Sequence, residues 1–180
     1  VLAVVLGAWF STGAVDAAET TAAKRQFSWR KTPAALALLN GDKVVWQFNH
    51  LQDGVEKGCP YFHPLATIEG AVLTDLRPAD HLWHRGLRFA WQKINGLEGY
   101  WVWPDGGKRW AGQVMGHSDV TLVKVTANDD FSARFELEMS YHPHGEPADV
   151  TEKRVVEVSA PDQDGNYHID WQGVFTGGAK

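Results

Sequence analysis

The sequence predicts an all-β protein, an antiparallel β-sandwich, on two observations. Short runs of β-favouring residues are separated by turn residues, and no stretch keeps a 3.6-residue apolar period over a dozen positions. Residues from Phe131 to Tyr141 alternate between apolar and polar side chains, which is typical of a strand that buries one face. Many short strands at this spacing favour two packed antiparallel sheets.

The predicted strands begin with a hairpin, because Asn40-Gly41 supplies the positive φ angles of a tight turn. Its two strands are Ala35–Leu39 and Lys43–Phe48. The later predicted strands are Ala71–Leu76, Gly86–Ile94, Val120–Thr126, Phe131–Tyr141, Val155–Val158 and Tyr167–Phe175. Turn-rich separators such as residues 104–107 and 161–166 lie between them.

The two ends of the sequence predict a partial signal peptide and an incomplete domain. Residues 1–17 form an apolar run without charge before Asp16, and Val15-Asp16-Ala17 resembles a cleavage signal. The run is shorter than the roughly 20 apolar residues of a membrane-spanning helix. Residues 18–180 are therefore expected to be one exported domain, periplasmic or extracellular. We expect the domain to be C-terminally truncated, because a sheet ending near Phe175 would keep an open edge.

Composition narrows the possible partners. The formal net charge is −5 and the sequence contains no Lys/Arg cluster, so it predicts no nucleic-acid partner. Cys59 is the only cysteine, which excludes a disulfide within this chain. It is interpreted as a small buried apolar residue.

A dense group of polar residues marks the candidate site. The stretch PADHLWHRG places His81, Trp83, His84 and Arg85 within a few positions, and His63 lies upstream on a proline-bracketed segment. Proline stiffens both segments, which we expect to be loops directing the imidazoles toward one cleft. Three histidines predict general acid/base catalysis or a divalent metal site, although the H-x-x-H spacing matches no diagnostic metal motif. The alternative is structural: the histidines bond buried carbonyls and Arg85 pairs with a carboxylate.

Tryptophan supplies a second signal, with five residues between positions 83 and 110. Trp101 and Trp103 would project from the same face of a strand. Together with Trp83 they predict a carbohydrate-binding surface, because aromatic faces suit the C–H surface of a sugar ring. A tryptophan-rich core is the alternative.

Two further groups are weaker candidates. His142-Pro143-His144 suggests a metal site, but the following Gly145 and Pro147 favour a hairpin loop. Glu152 could face a cleft as a general base, although an exposed carboxylate at a strand edge is the favoured interpretation.

The ordered sequence blocks also resemble a known family. These blocks are Tyr61-Phe62-His63-Pro64-Leu65, Leu73-Thr74, Arg77-Pro78-Ala79-Asp80-His81, Trp83-His84-Arg85-Gly86-Leu87 and Asn95-Gly96. They resemble the bacterial PmoA-like family, labelled methane oxygenase PmoA and regarded as a domain of unknown function. The resemblance implies an exported cell-envelope protein, a β-sandwich of the galactose-mutarotase type, and motif positions at His63, His81, His84 and Arg85.

Three functions follow as hypotheses. The first is a secreted carbohydrate-active enzyme, a lyase, epimerase or hydrolase, in which the histidines provide the chemistry and Arg85 binds a carboxylate. The second is a noncatalytic glycan-binding sandwich. The third, suggested by the family label, is a metal-dependent oxidoreductase.

Overall fold

The computed structural model describes residues 25–50, 58–98, 116–143 and 145–178. Its ordered elements are all β-strands, and the described residues form no helix. The strands are β1 (Phe27–Lys31), β2 (Ala35–Asn40), β3 (Lys43–Asn49), β4 (Tyr61–Leu65), β5 (Lys93–Ile94), β6 (Leu97–Glu98), β7 (Gly116–Ala127), β8 (Ala133–Pro143), β9 (Val150–Val158) and β10 (Ile169–Gly177). The predicted signal peptide lies outside the described residues.

Two four-stranded antiparallel sheets form the β-sandwich that the sequence predicts. The first sheet has the order β1-β2-β3-β4, and the second has the order β10-β9-β8-β7. The strands β5 and β6 make a separate two-stranded ribbon. The fold is thus a pair of meanders, in which each strand pairs with its neighbours in the chain.

Aromatic side chains join the two sheets. Phe48 from the first sheet contacts Phe135 from the second, with ring centroids 4.5 Å apart. Phe62 on β4 contacts Trp171 on β10 at 6.3 Å. Trp46 is fully buried and meets Phe135 edge-on at 6.3 Å. Large apolar side chains removed from water in this way contribute about 1.5–3 kcal/mol each to the free energy of folding.

Most of the predicted strands are present in the structure. The hairpin is confirmed, with Gly41 at a φ of +62° in the turn. The alternating strand is also confirmed, although it begins at Ala133 because Phe131 adopts a φ of +69° in the preceding turn. The predictions at 120–126, 155–158 and 167–175 fall largely within β7, β9 and β10.

The predictions for Ala71–Leu76 and Gly86–Ile94 are wrong. These segments make only isolated bridges, such as Leu76 with Arg85, apart from the two residues of β5. They run beside β4, where Phe62 and Leu87 exchange backbone hydrogen bonds of 2.8 and 3.0 Å. Conversely, β4 is a strand where a loop was expected, so His63 projects from the edge of a sheet.

Candidate functional site

The PADHLWHRG stretch forms two consecutive tight turns. The amide of His81 donates to Pro78 O at 2.9 Å, and the amide of His84 donates to His81 O at 2.8 Å. Gly86 then passes so close to β4 that a Cβ atom there would lie 2.1 Å from Phe62 O. The positive φ of +51° and this close approach both require glycine. The turn is therefore held against the strand that carries His63.

His63 lies beside the turn that carries His84, since a Cβ atom at Gly86 would lie 3.1 Å from His63 Cβ. The Nδ1 atom of His63 lies 3.0 Å from Thr74 Oγ1. Partial burial lowers the pKa of His63, Asp75 opposes this effect, and positive charge on His84 adds to it. The lowered pKa favours the neutral form of the His63 imidazole.

His81 faces a different environment. Its ring is largely exposed, with Nδ1 3.0 Å from Asp80 Oδ2, and it contacts the half-buried Trp83 at a centroid distance of 5.2 Å. Among the described residues, no group of three or more His, Cys, Asp or Glu side chains is placed to hold a metal ion. The metal site predicted from His63, His81 and His84 is therefore not formed in this part of the chain.

Arg85 is buried, with only 1% of its surface exposed. Its Nη1 atom donates to Leu82 O at 2.6 Å and to His84 O at 3.1 Å. These bonds fold the turn around the buried guanidinium, because both acceptors belong to the same turn as Arg85. Trp101 and Trp103, the other predicted sugar-binding tryptophans, lie outside the described residues.

A buried polar network occupies the inner face of the second sheet. Glu152 accepts hydrogen bonds from Arg154 Nε at 2.6 Å and Arg154 Nη2 at 2.7 Å, and it also accepts one from the Tyr141 hydroxyl. Arg154 Nη2 donates to the Tyr141 oxygen at 3.0 Å. The Glu152 and Arg154 side chains are 1% and 0% exposed. The favoured interpretation of Glu152 as an exposed strand-edge residue is wrong.

Burial of this network has electrostatic consequences. Burial raises the pKa of Tyr141 far above its usual range, and the neighbouring Glu152 carboxylate adds to this effect. The tyrosine is therefore a neutral hydrogen-bond donor at physiological pH. Bidentate contact with Arg154 orients the carboxylate, as planar guanidinium groups do well.

A cavity of about 380 Å³ adjoins the network. It is lined by Leu87, Arg88, Phe89, Glu152, Trp171, Gly173 and Phe175. The Arg154 guanidinium lies 5.3 Å from the centroid of the Phe89 ring and 5.0 Å from that of the Trp171 ring. Phe89, Trp171 and Phe175 thus form aromatic walls beside Glu152, which we call the floor of the cavity. None of the three predicted catalytic histidines lines this cavity.

Gly173 keeps the floor of the cavity open. A Cβ atom at this position would lie 3.0 Å from Glu152 Oε1 and 3.0 Å from the Phe175 ring. Because Gly173 pairs with Arg154 across β10 and β9, it sits directly beside the buried ion pair. The absence of a side chain at Gly173 therefore leaves space beside Glu152 Oε1 that a methyl group would fill.

Two other predicted groups have structural partners. His142 lies on β8, with Nε2 3.0 Å from Asp119 Oδ2 and Nδ1 2.8 Å from Pro143 O, while His144 is outside the described residues. Cys59 is partly buried, with its sulfur 3.8 Å from Ser118 Oγ. Burial raises the pKa of this thiol, and nearby arginines oppose the effect.

Comparison with known protein families identifies the family to which the chain belongs. Residues 35–179 match the family described as "Family of unknown function (DUF6807)". The chain belongs to this family. The resemblance to a PmoA-like, methane oxygenase family is therefore wrong, and the oxidoreductase hypothesis loses the label on which it rested. No curated protein and no solved structure matches the sequence of this DUF6807 member.

No helix in the described part of this DUF6807 chain is long and apolar enough to cross a membrane.

Proposed function

We propose that this chain is an exported carbohydrate-binding protein that holds a sugar ring in the cavity between residues 87–89 and strand β10. One observation carries the proposal: aromatic walls from Phe89, Trp171 and Phe175 enclose a floor that contains Glu152. Binding sites for small molecules are mostly apolar cavities of about 300–1,000 Å³ with a few placed polar groups. Export is proposed from the apolar run at residues 1–17.

The hydrogen-bonding capacity of Glu152 supports a hydroxylated ligand. A carboxylate offers about four acceptor positions. Oε2 receives bonds from Arg154 and Tyr141, whereas Oε1 receives one, from Arg154 Nε. Oε1 therefore keeps acceptor capacity on the side that Gly173 leaves open. A sugar hydroxyl can donate to Oε1 while its ring stacks on an aromatic wall.

Binding of a panel of mono- and oligosaccharides tests the proposal, followed by calorimetry on matched variants. The Gly173→Ala substitution puts a methyl group against Glu152 Oε1, so we expect affinity to fall about tenfold or more. Gly177→Ala is the control, because it lies on the same strand and its Cβ would meet nothing within 4 Å. Equal affinity for wild type and Gly173→Ala would exclude this cavity as the binding site.

A second candidate is a carbohydrate-active enzyme of lyase, epimerase or hydrolase type that uses His63 and His84. The lowered pKa of His63 favours it, because a neutral imidazole beside a second histidine can accept a proton. It predicts that His63→Ala and His84→Ala abolish turnover with little change in the thermal midpoint. Turnover that survives both substitutions would remove this candidate and leave the binding function.

A further inference from the structure

Arginine side chains lie in and around the cavity. Arg88 lines it, Arg154 lies over the Phe89 and Trp171 rings, and Arg85, three positions before Arg88, is buried. Burial lowers the pKa of Arg88, the Cys59 thiol opposes this effect, and repulsion from Arg85 adds to it. The positive charges of Arg85 and Arg88 therefore repel each other, and only Arg88 reaches the cavity wall.

The three guanidinium groups differ in their hydrogen-bond partners and in whether they line the cavity. Arg154 is occupied by Glu152 through Nε and Nη2, so its charge is largely compensated. Arg85 Nη1 serves the Leu82 and His84 carbonyls, and Arg85 does not line the cavity. Arg88 does line it, and a guanidinium has five N–H donors, so Arg88 can bind a ligand oxygen while it keeps contacts within the protein.

We propose that the sugar taken by this cavity carries a carboxylate, as a uronic acid does, and that Arg88 binds that group. This inference rests on the proposed carbohydrate binding. The two charged residues of the lining, Arg88 and Glu152, also determine the orientation of the bound sugar. Glu152 repels a second carboxylate and accepts hydroxyl groups, whereas Arg88 attracts the carboxylate through charge-assisted hydrogen bonds. The acidic group therefore lies at the Arg88 side, and the hydroxyl edge of the ring lies toward Glu152.

Matched pairs of sugars test the inference on the unaltered protein. Calorimetry compares methyl glucuronide with methyl glucoside, and methyl galacturonide with methyl galactoside, at low and at high salt. We expect the acidic member of at least one pair to bind about tenfold or more tightly. This preference should narrow as salt screens the charges. Equal binding within both pairs would overturn the carboxylate inference and leave carbohydrate binding intact, whereas no binding by any of the four sugars would reject both proposals.

Variants then assign the carboxylate to one residue. Arg88→Met should remove the preference for the acidic sugar while neutral sugar still binds, and Arg88→Lys should keep part of it. Arg30→Met is the control, because Arg30 is an exposed residue of β1 that contacts Gln47. A preference that is unchanged in folded Arg88→Met would overturn the role of Arg88. If Arg88→Met unfolds, the comparison of Arg88→Lys with wild type decides. A lysine ammonium lacks the planar fork of a guanidinium and should keep only part of the preference, so an undiminished preference would overturn the role of Arg88.

Discussion

The buried network of Tyr141, Glu152 and Arg154 makes a quantitative prediction about stability. Replacing Arg154 with Met keeps much of the side-chain volume but removes both hydrogen bonds from Arg154 to the Glu152 carboxylate. Glu152 then remains buried with the Tyr141 hydroxyl. A buried charge that loses its partner typically costs about 3–5 kcal/mol.

The size of the effect follows from the burial of both partners. An exposed ion pair contributes only about 0–1 kcal/mol, but these side chains are 0% and 1% exposed. For a domain of this length, the expected loss lowers the thermal midpoint by roughly 6–20 °C. The triple variant Tyr141→Phe, Glu152→Leu, Arg154→Met removes all three polar groups together. We expect it to recover most of the loss, because well-packed apolar replacements of buried ion pairs are often neutral or stabilising.

Chemical denaturation of wild type, the single variant and the triple variant measures these differences. The comparison requires equal m-values, because a changed m-value would indicate a different unfolding transition. A loss below about 1 kcal/mol in Arg154→Met would refute the buried ion pair. A triple variant as unstable as the single variant would show instead that the polar groups are needed for packing.

Two further perturbations test the close approach at Gly86 and the burial of His50. Gly86→Ala places a Cβ atom 2.1 Å from Phe62 O. We expect it to lower the thermal midpoint far more than the control Gly41→Ala, because Gly41 has a similar positive φ but open space around it. Equal shifts of the thermal midpoint in the two variants would contradict the close approach at Gly86. Burial lowers the pKa of His50 from 6.5, so the unfolded state binds more protons and stability falls as pH drops below about 6.5. Chemical denaturation measured from pH 8 to pH 5 should show a smaller loss of the free energy of unfolding in His50→Leu than in wild type. The same dependence on pH in both proteins would refute this prediction.

The sequence offered Glu152 only as a weaker candidate and did not identify Arg154, yet a signal for their burial was present. Glu152, Arg154, Val156 and Val158 alternate with more exposed residues along β9. The period of two places the charged pair on the same face as the buried valines. Extending the predicted strand back from Val155 would have placed both charges inside. The predicted strand began only at Val155, and charged residues such as those before it are rarely buried unless they are paired.

The prediction that three histidines meet in one cleft was limited because local sequence does not determine side-chain direction. Proline-rich polar turns reveal stiffness but not direction, so the sequence placed His63, His81 and His84 in one cleft. In the structure, β4 and the double turn bring His63 near His84, while His81 turns outward to Asp80. Side-chain direction here depends on which backbone groups pair across β4, such as Phe62 with Leu87.

The sequence by itself determined the sandwich, its central hairpin and its alternating strand, because strand periodicity and turn chemistry are local properties. Only the tertiary structure decided where the polar chemistry lies. Trp171, Gly173 and Phe175 line one cavity with Leu87–Phe89 although about 85 positions separate them in the chain. Such a cavity depends on how two distant segments pack against each other, and no local sequence pattern predicts that packing.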